Sequence, residues 1–106
     1  MYSKKEQTKK NKAKSDRKLT ASVRDHYKAW LHDRQGGLCF CGCERPIDEY
    51  HHARFGIWKD DRTLIGIARD CHYAIHHGRD TERKRRLINL SQKLADVNWD
   101  DFGRKQ

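Results

Sequence analysis

The chain has 106 residues, 37% of them charged and 35% hydrophobic, and carries a net charge of +9 from 24 Lys and Arg against 15 Asp and Glu. That length allows one small domain with a thin core, so a staple beyond apolar burial is expected. No apolar run approaches the length of a membrane span, and residues 1–18 lack the apolar stretch of a secretory signal, which predicts a soluble, cytoplasmic protein with reduced cysteines.

Charge is concentrated at the start, where eight basic residues between Lys4 and Lys18 face only Glu6 and Asp16. With no apolar face to offset the entropy of ordering, residues 1–18 read as a disordered basic arm. Its charge suits a phosphate backbone, a plain solubilising tail being the simpler reading. Residues 19–106 then form one domain.

From Thr20 onward, Val23, Tyr27, Trp30 and Leu31 fall at helical spacing and predict an amphipathic helix running to about Gln35. Thr20 or Ser22 can cap its start, and Gly36-Gly37 supplies the stop. Pro46 fixes a turn. Residues 49–54 and 62–68 have no helical period, and the second stretch carries Leu64, Ile65 and Ile67, as a short buried strand would. A hairpin joining them through an irregular connection over 55–61 is the simplest arrangement.

Residues 70–77 read as a short helix with Asp70 as cap and Gly78 as stop. A long helix follows from Asp80 to about Val97 on the stripe Leu87, Ile88, Leu90, Leu94 and Val97. Arg79, Arg83, Lys84, Arg85 and Arg86 crowd its beginning, where positive charge opposes the helix dipole unless an anion is near. A solvated face and a phosphate-contacting face fit that segment equally. Trp99 and Phe102 are expected to pack back as an anchor, with residues 103–106 fraying. The fold class is therefore α+β.

All four cysteines and five of the seven histidines lie between Cys39 and His77. Thiolate and imidazole together are the donors of zinc and other borderline metals, and a small hydrophilic chain gains folding free energy by binding one. Adjacent strand residues point to opposite sides, so His51 and His52 can serve different tasks. His72 and His76, at i and i+4 on a helix, face the same way and can share an ion with His51. His77 faces elsewhere, and His26 and His32 carry no such pattern.

Taken together, Cys39-Phe40-Cys41-Gly42-Cys43, Tyr50-His51-His52, Thr63 and Cys71-His72 through His76 resemble the HNH endonucleases, the ββα-metal superfamily, over residues 39–78. The likeness is to phage recombination-enhancement nucleases in His51-His52-Ala53-Arg54 and Cys71-His72-x-x-x-His76, and to colicin DNases in the layout of the histidines. The resemblance implies a small zinc-stapled ββα-metal domain with flanking helices that hydrolyses DNA phosphodiester bonds. It implies one catalytic divalent ion (Mg²⁺, Mn²⁺, Ni²⁺ or Zn²⁺) on His51, His72 and His76.

His52 would act as general base, since imidazole accepts a proton near neutral pH. Thr63 stands where the family has an Asn that orients the base, and Asp61 is the fallback orienter. Cys39, Cys41, Cys43 and Cys71 would hold a structural Zn²⁺, the family's third cysteine being Ala68 here; a shell of fewer thiolates completed by a histidine also fits. Arg54, Arg69, Arg79, Arg83, Lys84, Arg85 and Arg86 are the expected DNA contacts, with room for a recombination or replication partner. The alternative is a zinc-binding nucleic-acid module that has kept the fold and lost the chemistry, and RNA is a third substrate to weigh.

Overall fold

The computed structural model describes residues 18–105. The basic arm expected at the start therefore lies, up to residue 17, outside the described residues, as does Gln106. Among the described residues, three helices surround a two-stranded antiparallel sheet: α1 (Ala21–Arg34), β1 (Glu49–His52), β2 (Leu64–Ile67), α2 (Arg69–His77) and α3 (Thr81–Lys105). Among the described residues no helix is long and apolar enough to cross a membrane.

Helix α1 starts where Thr20 Oγ1 accepts from the Val23 amide at 3.3 Å, and it buries Tyr27 and Leu31 completely. Each such side chain contributes roughly 1.5–3 kcal/mol by leaving water. Val23, expected on the same stripe, is largely exposed. The helix ends at Arg34, and Gly36 and Gly37 take up positive φ, which lets the chain reverse towards the cysteines.

Both strands are shorter than the sequence suggests, four residues each, because the chain leaves the ladder for two 3₁₀ turns, Gly56–Trp58 and Asp61–Thr63. The register pairs His51 with Ile65 and His52 with Leu64. Cross-strand partners share a face, so Glu49 and His51 lie on the side of Ile65 and Ile67, and Tyr50 and His52 on the side of Leu64.

The core follows that division. Ile67, Ala68, Cys39, Cys71, Ala74, Ile75 and Leu87 form one cluster, and Tyr27, Leu31, Leu64 and Phe102 form the other. Gln35 braces β2 by giving and receiving hydrogen bonds at the Gly66 peptide, both at 2.9 Å. A Cβ at Gly66 would sit 2.5 Å from Cδ1 of Ile47, so a larger residue here would have to displace the end of that side chain.

Two boundaries differ from the sequence reading. Helix α2 begins at Arg69 with Ala68 at the cap, and the carboxylate that receives the Arg69 amide, at 2.8 Å, belongs to Asp48. Asp70, the expected cap, instead lies in the first turn and pairs with Arg45. Helix α3 does not end near Val97 or fray at 103 but continues to Lys105, carrying Trp99 and Phe102 on its own surface. Its buried stripe runs through Ser91, Ala95, Asn98 and Phe102, whereas Val97 is half exposed.

Candidate metal centres

The loop after α1 is shaped for several thiols to approach one point. The Cys39 amide donates to the Arg45 carbonyl at 2.8 Å, the Phe40 amide donates to Gly66, and Gly42 turns the chain with a φ of +82°. Cys71, on the first turn of α2, meets this loop from the other side. Its sulfur lies 3.5 Å from that of Cys41 and 3.8 Å from that of Cys43, and Cys39 and Cys41 are 3.5 Å apart.

No disulfide joins them. Four thiolates around a tetrahedral zinc, with bonds of about 2.3 Å, stand about 3.8 Å apart, and the four sulfurs here all lie within 4.8 Å of one another, so this group could hold structural zinc. Burial pushes the Cys71 and Cys41 thiols up. Burial also opposes ionisation of Cys43, but the Arg45 amide and the neighbouring thiols outweigh it and lower its pKa. A cation of charge two is what would let the whole set ionise together. Arg83 and Arg86 share a groove with Cys41 and Cys43, where they would offset the surplus negative charge of a tetrathiolate centre.

The histidines form a second group. β1 carries His51 and α2 carries His72 and His76, and one ring nitrogen from each lies within 4.8 Å of the others. Ligands of one ion with bonds of about 2.0–2.1 Å stand about 3–4 Å apart, so small side-chain movements suffice to close on it. Nε2 of His51 is buried and has no hydrogen-bond partner among the described residues. An orphaned buried polar atom is costly, and a metal ion would satisfy it. Burial, followed by the charges of His72, His76 and His52, pushes the His51 pKa down to about 3, and burial likewise lowers that of His76. Both are thus held in the neutral form that binds metals.

Around the triad the structure adds residues that the sequence reading missed. Glu49 Oε1 lies 2.7 Å from Nδ1 of His72, which fixes the ring and leaves Nε2 as the donor atom. The only sequence signal was that Glu49 stands two residues before His51, on the same strand face. Phe55 packs its ring 5.1 Å from His76 and 5.7 Å from His51. Lys84, half-buried on α3, is near enough for its charge to lower the His76 pKa.

His52 lies on the other face of β1, and its Nε2 is 2.8 Å from Oδ1 of Asp61. Asp61 is buried, its other oxygen accepting from the Leu19 amide at 3.0 Å, with Arg24 3.9 Å away. Burial raises the Asp61 pKa, but His52, Leu19 and Arg24 outweigh it and hold the carboxyl below its ordinary range.

The residue that reaches the His52 ring is therefore Asp61, the fallback, and not Thr63. The Thr63 hydroxyl donates to the Asp60 carbonyl at 2.7 Å and accepts from the Arg54 amide at 3.2 Å, closing the hairpin loop. Both bonds are local, and the Thr63 carbonyl accepts from the Ala53 amide at 2.9 Å, so Thr63 holds the backbone beside His52 while Asp61 meets its ring.

The cationic residues are dispersed. Arg54 pairs with Asp96 at 3.0 Å, and Arg69, Arg79, Arg83, Arg85 and Arg86 are exposed around α2 and the start of α3. His77 is exposed beside Tyr73 and takes no part in the triad. Compared with known proteins, the chain matches no family model, no curated protein and no solved structure.

Proposed function

We propose that this chain is a metal-dependent endonuclease of HNH type that hydrolyses DNA phosphodiester bonds. The observation that carries the reading is the convergence of His51, His72 and His76 with the His51 Nε2 buried and unpartnered among the described residues, next to a His52 held by a buried carboxylate. A divalent ion bound there would supply Lewis-acid stabilisation of the charge that develops on the phosphate and its leaving oxygen.

The protein's own groups supply the rest. Asp61 accepts from Nε2–H of His52, which selects the tautomer with a basic Nδ1 and favours the imidazolium formed once water has given up its proton. His51 and His52 lie on opposite faces of β1 but adjacent in the chain, an arrangement in which base and ion site would approach a phosphate at the strand end from two sides. Glu49 fixes the His72 ring, so little reorganisation accompanies the reaction. The exposed arginines of α3 suit backbone phosphates and carry no base specificity.

Plasmid nicking by the wild type and by His52→Ala tests the proposal. Cleavage should disappear in the variant while zinc content, folding and DNA affinity persist. A wild type that bound DNA and never cut it would instead be a zinc-stapled binding module.

A further inference from the structure

Beside the triad, the loop between the strands makes a cavity of about 320 Å³ lined by Arg54, Phe55, Trp58, Asp60 and Gln92. That is at the small end of the ~300–1,000 Å³ typical of ligand sites, too small for a duplex and suited to one planar ring. Two of its walls are aromatic, with Phe55 41% and Trp58 66% exposed. Its remaining walls are already engaged within the protein, the Arg54 guanidinium with Asp96 at 3.0 Å, the Asp60 carboxylate with Arg62 at 2.8 Å and the Gln92 amide nitrogen with the Ala53 carbonyl at 3.3 Å, so what the cavity offers a ligand is chiefly its aromatic faces.

A second groove continues from it, sharing Arg54 and Gln92 and adding Arg86, Asn89 and Lys93. Phe55 also packs its ring against His76 and His51, so the aromatic cavity adjoins both the basic groove and the histidine triad.

We propose that the Phe55–Trp58 cavity receives a single unpaired nucleobase, so that the protein engages nucleic acid at a single-stranded or extruded nucleotide next to the triad. This rests on the nucleic-acid reading above and specifies its substrate class. Aromatic faces stack on any base, whereas the cationic groove follows the phosphates; a paired base inside a duplex presents no free face to Phe55 or Trp58. The 3₁₀ turn Gly56–Trp58 holds Trp58 out from the sheet, and Gly56 at a φ of +69° permits that turn.

The test uses the full chain, zinc-loaded and carrying His52→Ala to prevent cleavage. It binds a single-stranded oligonucleotide containing 2-aminopurine and a duplex of the same length. Trp58→Ala should weaken single-strand binding about tenfold or more and leave duplex binding unchanged, with 2-aminopurine quenching lost. Trp58→Phe should restore most of the affinity. Unchanged single-strand affinity in Trp58→Ala, an equal loss on both substrates, or no binding by the parent would each overturn the inference. Far-UV circular dichroism shows whether the variants are folded. Trp58-dependent binding by a wild type that cuts nothing would remove the hydrolase reading and leave this one standing.

Discussion

Replacing Cys71 with Ala separates packing from metal binding. Cys71 is 2% exposed, inside the cluster of Ile67, Ala74, Ile75 and Leu87, and its sulfur touches those of Cys41 and Cys43. If it only packs, losing one buried sulfur costs on the order of 1 kcal/mol. A domain of this size would then melt about 4–8 °C lower. If the thiols hold zinc, the loss is of another order, because structural zinc contributes roughly 10–16 kcal/mol against a total stability of about 5–15 kcal/mol. The variant should then lose its cooperative transition altogether, and a zinc chelator should do the same to the wild type. Calorimetry with elemental analysis of the purified protein decides between them. A Cys71→Ala protein that keeps one zinc per chain and melts only 4–8 °C lower would refute the assignment.

Other consequences are smaller. Glu49→Gln should weaken metal binding at the triad about 10–100-fold, measured by titration of the zinc-loaded protein with a second ion, because His72 loses its orienting carboxylate. Asp61→Asn should lower turnover with little change in DNA affinity, by no more than the ~10²–10⁴ that a general base contributes; equal turnover would take Asp61 out of the mechanism. Acidification should destabilise the protein through His51: its folded pKa of about 3 lies below the ~6.5 of an unfolded histidine, so the unfolded chain takes up the proton first. The cost is absent above about pH 7 and grows by up to ~1.4 kcal/mol per unit as pH falls from about 6.5 towards 3. Denaturant titrations at pH 7 and pH 5 should show a drop of about 2 kcal/mol, reduced in His51→Gln.

Much of the chain was legible because local chemistry decides it. Thr20 at a cap, Tyr27 and Leu31 at helical spacing, and Leu64, Ile65 and Ile67 in a short strand all fold as their sequence pattern indicates. The two donor groups were legible for the same reason: i and i+4 on a helix, and closely spaced cysteines, bring ligands together with few other constraints.

What was missed depends on distant partners. Asp48 caps α2 from outside the helix, a partner that the local pattern around Asp70 does not reveal. Helix α3 outruns the apolar stripe that ends at Val97, because its packed face uses the small and polar Ser91, Ala95 and Asn98. The Glu49–His72 bond exists only once hairpin and helix have docked. Thr63 stands at the motif's position, but its hydroxyl is taken by the loop, and the carboxylate two residues earlier reaches the His52 ring.

The most direct measurement is nicking of supercoiled plasmid by the zinc-loaded protein with Mg²⁺, Mn²⁺, Ni²⁺ or Zn²⁺ added, alongside His51→Ala. The triad accounts for the chemistry if nicking requires the added ion and vanishes in His51→Ala at unchanged zinc content in the cysteine site. Cleavage by His51→Ala at the wild-type rate, or no cleavage by the wild type with any of the four ions, would contradict it.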